Sequence, residues 1–246
     1  MKISIPVYVL MFLIAFYSCQ KDDYEYRPHD GSNRYTDTSD DNTNDNPLAW
    51  TQAEIDSIIS GANNSMMRVF IVDNYEDSII LRKPSIDVIP DQNDTILDKL
   101  IDRMYATVND PNNPGVGIAA PQVGINRKII WVERQDKTGS PFEVYLNPKI
   151  VQVSAVTNSQ QEGCLSIPNP TISGNVERPW SIYLEYTTPD GTDTSEVIMH
   201  QYVSRIFQHE IDHLYGIFYT DHIDTSKNQK ILDKLEQYTN YETGSF

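Results

Sequence analysis

The stretch QHEIDHLYG, residues 208–216, places two histidines four positions apart and a glutamate directly after the first of them. On an α-helix, side chains four positions apart lie on one face, one turn from each other. Two imidazoles in that arrangement can bind one metal ion, and the glutamate lies near enough to act on a water molecule there. The motif therefore makes His209 and His213 candidate metal ligands and Glu210 a candidate proton carrier.

A helix around this motif is predicted from about residue 200 to residue 214, because Gly216 is typical of a helix C-terminus. Four of its positions follow one another at spacings of 4, 3 and 4, on one mostly apolar stripe: Tyr202, Ile206, His209 and His213. We therefore expect both histidines to point into the protein. The alternative interpretation is a pair of buried core histidines beside an exposed glutamate.

Two histidines need a further ligand, and the sequence offers several candidates. In one class of zinc protease it is a histidine six residues after the second, but that position holds Tyr219. In another class it is a downstream glutamate, and Glu236 is available within KILDKLEQY, which is typical of a solvated helix face. Upstream, EGCLS (residues 162–166) contains Cys164, and a thiolate is a good ligand for zinc or ferrous iron. A lone cysteine is also common as a small buried hydrophobe, so both interpretations of Cys164 remain open at this point.

A glycine-rich segment, GVGIAAPQVG, covers residues 115–124. Segments of this kind are often simple turns. This one places a run of small residues before one polar amide, Gln122, so that a single hydrogen-bond donor projects from a tight wall. Gln122 is therefore a further candidate site residue.

The remaining patterns predict both helices and strands. Thr51 and Glu54 form a capping-box pattern that begins a helix. A stronger apolar period marks a second helix that begins near Asn93 or Asp94 and runs to Val108. Before the motif helix, strand-like runs cover residues 128–133, 143–153, 181–187 and 194–198. TPDG at 188–191 is typical of a hairpin turn between the last two. After the motif helix, a polar helix is predicted at 224–238. Runs of strands followed by one buried helix predict an α+β fold with antiparallel pairing.

Three segments, GVGIAAPQ, EGCLS and QHEIDH, occur here in this order, and together they resemble the three signature motifs of the peptide deformylases. IILRKPSIDV (79–88) and VERP (176–179) are also similar to that family, so that the resemblance covers roughly residues 68–226. The departures are the longer loop NDPNNP at 109–114 and Gln201, where the family usually carries glycine. The resemblance implies antiparallel β-sheets packed around a central metal-binding HExxH helix, with a C-terminal helix.

The same resemblance implies removal of the formyl group from N-terminal formyl-methionine. It implies that Cys164, His209 and His213 hold one divalent metal ion, which is ferrous iron in many family members, with zinc or another divalent ion as the alternative. Glu210 would carry the proton of the attacking water.

Further roles follow from the matched motifs. The side-chain amide of Gln122 and the backbone N–H of Leu165 would bind the developing oxyanion. Glu162 would either support a ligand from behind or line the substrate pocket. The backbone of Gly117 would hold the substrate chain, and Val116 and Ile206 would line a pocket for methionine.

The N-terminal sequence predicts that the protein is located outside the cytosol. Residues 1–19 contain an apolar run behind Lys2 and end in Ser-Cys, which resembles a bacterial lipoprotein signal with Cys19 as the lipidated residue. Residues 20–50 have no apolar period, and we expect a disordered acidic tether before a catalytic domain at 51–240. We therefore predict a membrane-anchored protein in the periplasm or on the cell surface; the alternatives are an uncleaved anchor and a cytoplasmic enzyme.

The charge and the motifs restrict the function further. The 246-residue chain has a formal net charge of −16, which argues against nucleic acid as a partner. The competing functions are a non-catalytic surface lipoprotein that binds formyl peptides and a general metallopeptidase. The sequence gives no indication of the oligomeric state.

Overall fold

The computed structural model describes residues 47–91, 93–223 and 242–244. The helices are α1 (Gln52–Ile59), α2 (Tyr75–Leu81), α3 (Thr95–Val108), α4 (Gln201–Leu214) and α5 (Tyr219–Ile223), and a 3-10 turn covers Ala120–Val123. The strands are β1 (Gly117–Ala119), β2 (Ile129–Glu133), β3 (Phe142–Ser154), β4 (Thr157–Gln161), β5 (Asn175–Pro179), β6 (Ile182–Thr187), β7 (Asp193–Ile198) and β8 (Glu242–Gly244). None of these helices is both long and apolar enough to cross a membrane. The predicted signal sequence with Cys19 and the predicted helix at 224–238 lie outside the described residues.

Most of the strands belong to one sheet with the order β1-β2-β3-β6-β7, in which every neighbouring pair is antiparallel. β8 adds to it in parallel, beside the end of β3. β4 and β5 form a separate antiparallel pair. This architecture confirms the predicted α+β class with antiparallel sheets. The loop that joins β4 to β5 carries EGCLS, and the 3-10 turn after β1 carries Gln122.

The motif helix α4 is buried because it packs on the inner face of the large sheet. Its residues from Val203 to Leu214 are all buried, and Ile206, Phe207 and Ile211 share one apolar cluster with strand residues such as Val132. Tyr202 is an exception to the predicted stripe, since it lies in the first turn of α4 and is 38% exposed. The helix ends at Leu214 with Tyr215 as its C-cap, and Gly216 follows. The φ of Gly216 is 68°, which suits glycine, and a Cβ atom there would lie 2.4 Å from the carbonyl oxygen of Arg82.

A second apolar cluster lies on the other side of the sheet, under α1 and α3. α1 begins with the predicted capping box between Thr51 and Glu54. α3 begins at its N-cap Asp94, as predicted, and buries Leu97, Leu100 and Met104 against strand residues such as Trp131. This cluster supports the sheet from behind and leaves its other face to α4.

The predicted tether ends earlier than residue 50. Arg127, which is 1% exposed, donates hydrogen bonds to the carbonyl oxygens of Leu48 and Ala49 and to the carboxylate of Glu54. Trp50 packs against the adjacent core, with its ring 4.6 Å below the guanidinium group of Arg127. A buried arginine needs such acceptors, so these residues belong to the folded domain. The predicted boundary at residue 50 is therefore corrected, since Leu48, Ala49 and Trp50 lie in the folded part.

Candidate active site

Three candidate ligands converge between α4 and the loop that joins β4 to β5. The ligand atoms of Cys164, His209 and His213 all lie within 4.8 Å of one another. The Sγ atom of Cys164 is 3.2 Å from Nε2 of His213, and the centroids of the two imidazole rings are 5.0 Å apart. Both histidines are buried, and Cys164 is half-buried. One thiolate and two imidazoles are a donor set that suits zinc or ferrous iron and leaves one coordination position for a substrate or solvent molecule.

The carboxylate of Glu162 lies behind His209. Its Oε2 atom is 2.9 Å from Nδ1 of His209, and both of its oxygens accept hydrogen bonds from Arg178, at 2.7 and 2.9 Å. Arg205 donates to the same carboxylate. Burial alone would raise the pKa of Glu162, but the Arg178 guanidinium holds that pKa well below its usual range. An ionised Glu162 fixes the proton of His209 on Nδ1 and leaves Nε2 available to a metal ion, so the geometry favours support of a ligand over a substrate contact.

Glu210 is buried beside the strand that carries the first motif. A Cβ atom on Gly117 would lie 2.5 Å from Oε1 of Glu210, so that only glycine leaves room for this carboxylate. The Oε2 atom is buried and has no hydrogen-bond partner within the described ranges. Burial raises the pKa of Glu210 to about 7. The carboxylate therefore lies close to β1, and one of its oxygens accepts no hydrogen bond from the described residues.

The close approach of Gly117 to Glu210 gives a first prediction. Gly117→Ala should displace the Glu210 carboxylate and lower kcat by roughly 100-fold, since small misplacements of reacting groups have effects of that size. The three atoms nearest to the new methyl group all belong to Glu210 and none to a candidate ligand, so metal content should be unchanged. Steady-state kinetics and metal analysis on the same sample check both statements; a variant with full metal and wild-type kcat would contradict the assigned contact.

The side-chain amide of Gln122 is held by its own turn. Its Oε1 atom accepts a hydrogen bond of 2.9 Å from the backbone N–H of Ala119. Its Nε2 atom lies 3.6 Å from Sγ of Cys164 and 3.2 Å from Oγ of Ser166. Because the oxygen is occupied, the N–H groups are the part of the amide that faces the ligands.

The structure also describes the other predicted site residues. Leu165 directly follows Cys164 in the chain, and its side chain packs against the cluster under α3. Ile206 is buried in the cluster between α4 and the sheet, and Val116 packs against that same cluster. The two apolar residues named for a methionine pocket therefore belong to one apolar region beside Gly117.

Sequence reasoning missed the charges behind the ligands. Asp212, on α4, accepts hydrogen bonds from Arg178 of β5 at 2.7 Å and from His222 of α5 at 2.8 Å. A weak signal existed for Arg178, because it shares the buried phase of β5 with Val176, and a charged residue at such a position needs a buried partner. No local spacing pointed to Asp212 or His222.

Of the two alternative third ligands, the structure describes Tyr219. Tyr219 lies against His209, with ring centroids 6.1 Å apart and planes inclined by 22°, so it packs on a ligand instead of replacing one. Glu236 lies outside the described residues.

Comparisons with known proteins show the family to which this chain is similar. A family model described as polypeptide deformylase matches residues 69–229. A peptide deformylase of Finegoldia magna is 37% identical over 148 residues, which cover 60% of this chain and 86% of that protein. One of Chlorobium phaeobacteroides is 37% identical over 183 residues, which cover 69% of this chain and 92% of that protein. The solved structure of an actinonin-bound class I type b peptide deformylase of Acinetobacter baumannii is 34% identical with a TM-score of 0.56, and the match covers 65% of this chain and 99% of that chain. The chain therefore belongs to the polypeptide deformylase family and is an enzyme of that kind.

Proposed function

We propose that this enzyme removes the formyl group from N-terminal formyl-methionine of peptides outside the cytosol, while anchored to a membrane through Cys19. The observation that carries the catalytic part is the convergence of Cys164, His209, His213 and the buried Glu210. The observation that supports the location is the lipoprotein-like leader at 1–19, followed by an acidic segment before the folded domain.

Cys164, His209 and His213 would hold one divalent metal ion. A divalent cation bound there supplies Lewis acid chemistry, because it polarises the formyl carbonyl group and lowers the pKa of water. Glu162 orients His209 for this task through its hydrogen bond to Nδ1. The three ligands and their support come from two elements that the fold fixes independently, α4 and the β4–β5 loop.

Glu210 would transfer the proton in the reaction. The oxygen of water forms a bond to the formyl carbon, and the carbon–nitrogen bond of the formamide breaks. Glu210 accepts a proton from that water and delivers it to the departing amine, which leaves formate and a free methionine N-terminus. Its Oε2 atom, which is buried and unpaired among the described residues, is the atom suited to this exchange.

Gln122 and Leu165 would bind the negative charge that develops on the formyl oxygen. The amide nitrogen of Gln122 already faces the ligands, and the backbone N–H of Leu165 lies beside Cys164. Gln122→Ala should therefore lower kcat by roughly 10²–10³-fold, the usual effect of losing one such donor. KM for a formyl-Met peptide should change much less. A comparable fall in both kcat and metal content would contradict the role, because Gln122 is not proposed as a ligand.

The substrate would extend the large sheet. β1 pairs with β2 on one side, and within the described residues it is the end strand of that sheet, so its other edge can pair with an extended peptide. Gly117 begins this edge next to Glu210, and Val116 and Ile206 offer apolar surface for a methionine side chain. A peptide deformylase of Acinetobacter baumannii has been solved with bound Met-Ala-Ser, a peptide of the kind that this reaction releases.

The identity of the metal depends on the location. Ferrous iron is easily lost when its thiolate ligand oxidises, and oxidation is stronger outside the cytosol. We therefore propose that this enzyme uses zinc or another divalent ion that tolerates oxidation. Metal analysis of protein purified from its own host decides this, and stoichiometric iron in the active form would refute it.

The two competing functions make different predictions in one assay. The proposed enzyme releases formate from formyl-Met-Ala and does not cut an unformylated peptide. A binding lipoprotein would retain formyl-Met-Ala without releasing formate. A general metallopeptidase would cut the unformylated peptide. The presence of all three ligands with Glu210 and Gln122 favours the first outcome.

The proposed anchor is tested on whole cells. Protease added to intact cells should remove a surface-exposed enzyme, and Cys19→Ala should release it from the membrane fraction. An enzyme that remains protected in the cytosolic fraction would contradict the proposed location without affecting the proposed chemistry.

A further inference from the structure

A chain of buried charges connects helix α5 to the candidate ligand His209. Nε2 of His222, on α5, lies 2.8 Å from Oδ2 of Asp212, and the same oxygen accepts a hydrogen bond of 2.7 Å from Arg178. Arg178 also donates two hydrogen bonds to Glu162, whose Oε2 is 2.9 Å from Nδ1 of His209. An uninterrupted series of contacts therefore runs from His222 to the metal site.

We propose that His222 is a positioning residue for the metal centre, through Asp212, Arg178 and Glu162. The inference rests on the metal site proposed above. His222 touches neither a candidate ligand nor the substrate edge of β1 in the contacts described, so its effect passes through the charges between them.

The physical reason lies in how Arg178 is shared. Its guanidinium group serves two carboxylates, with Nε and Nη2 on Glu162 and Nη1 on Asp212. Oδ1 of Asp212 is buried and has no hydrogen-bond partner within the described ranges, so Oδ2 carries both contacts of this carboxylate. Without His222, Arg178 is the remaining hydrogen-bond donor to Asp212 within the described residues and is drawn toward it. Its hold on Glu162 then weakens, and Glu162 is the group that orients His209.

The exposure of these side chains favours His222 as the member that can be changed without collapse of the fold. The side chain of His222 is 18% exposed, whereas those of Asp212, Arg178 and Glu162 are 2%, 4% and 4% exposed. A substitution at His222 removes a donor at the outer end of the series and leaves the buried charges in place.

A purely structural role is the alternative, in which His222 only fastens α5 to α4. That role predicts lower stability of the metal-free protein with an unchanged metal centre. A positioning role predicts a changed metal centre. The conservative substitution separates them further, because a glutamine amide can donate a hydrogen bond to Asp212 as the imidazole does, and alanine cannot.

The experiment compares His222→Ala, His222→Gln and the matched control Thr220→Ala, which truncates a half-buried side chain on the same helix. The zinc Kd is measured by competition with a chelator, the visible absorption spectrum is recorded after loading with cobalt, and unfolding by urea is followed without metal. We expect His222→Ala to raise the zinc Kd by roughly 10-fold, at the lower end of the effect of losing a group that orients a ligand. The cobalt spectrum should shift, and KM for formyl-Met-Ala at saturating metal should stay the same.

His222→Gln should remain within about threefold of wild type, and Thr220→Ala should match wild type in zinc Kd and cobalt spectrum. The proposal is overturned if His222→Ala is only less stable, with the zinc Kd and cobalt spectrum of wild type, or if glutamine fails to restore what alanine removes. If wild type itself binds no zinc and releases no formate, the proposed function fails instead. If wild type does both and His222→Ala is unchanged, only the role of His222 is wrong.

Discussion

Glu210→Ala should retain the metal ion and lose deformylation. The carboxylate of Glu210 is buried beside the ligands, its Oε2 atom has no hydrogen-bond partner in the described structure, and Gly117 leaves room for it. Removing a positioned proton carrier lowers kcat by roughly 10²–10⁴-fold. The ligands Cys164, His209 and His213 are untouched, so the variant should bind one equivalent of metal with the affinity of wild type.

Glu210→Gln is the matched control for this result, because it keeps the size of the side chain while it removes the negative charge and the ability to exchange a proton. Formate release and bound metal are measured on the same preparations. Both variants should be inactive and fully loaded. Hydrolysis of a formyl-Met peptide at the wild-type rate by either variant would show that another group carries the proton.

Cys164→Ser should weaken metal binding strongly. Serine stays protonated near neutral pH, so the substitution removes the anionic ligand from a set whose other members are neutral imidazoles. Since losing a group that merely orients a ligand costs up to about 100-fold in affinity, losing the ligand itself should cost at least that much. Chelator competition with zinc measures the Kd directly.

The folded state of the Cys164→Ser variant is checked by urea unfolding without metal. Cys164 is half-buried and close in size to serine, so a large loss of stability is not expected. A variant that folds like wild type and binds zinc with the wild-type Kd would exclude Cys164 as a ligand. The search for a third ligand would then return to the region after α5.

The local periodicity of apolar residues was sufficient to predict the helices and strands that bury a regular apolar face. The predicted strands match β2, β3, β6 and β7 closely, and the capping box of α1 is present. The elements that were missed have weak patterns for physical reasons. β4, with the sequence TNSQQ, is polar on both faces. β1 contains three small or aliphatic residues, so polar and apolar side chains do not alternate along it. Pairing partners define such strands, and a single sequence does not display them.

The candidate site divides in the same way. The ligands on α4 and the adjacent Glu210 are four residues or fewer apart, so helical spacing alone predicts their proximity. Cys164 and Gln122 were separate candidates that only the resemblance joined to the histidines, because the contacts between these segments span 42 residues or more. The contacts of Asp212 with Arg178 and His222 could not be predicted, since an ion pair between separate elements depends on how the sheets pack.

The correction at the N-terminal boundary has a similar origin. From the sequence, residues 47–50 were interpreted as the end of a polar segment. No pattern near them in sequence indicates a hydrogen-bond donor for their carbonyl oxygens. Arg127 supplies it from a distant loop, through the carbonyl oxygens of Leu48 and Ala49. The composition of a segment indicates how much apolar surface it can bury. It does not indicate that a buried guanidinium group elsewhere in the chain needs the segment's carbonyl oxygens as acceptors.

The most direct test of the central claim is the formate released from formyl-Met-Ala-Ser by wild-type protein as metal is added to the metal-free form. We predict that the rate rises in proportion to bound metal and saturates at one equivalent. Each formate should appear together with one free Met-Ala-Ser, and a chelator should abolish both. Metal binding without formate release, or cleavage at an internal peptide bond, would contradict the claim.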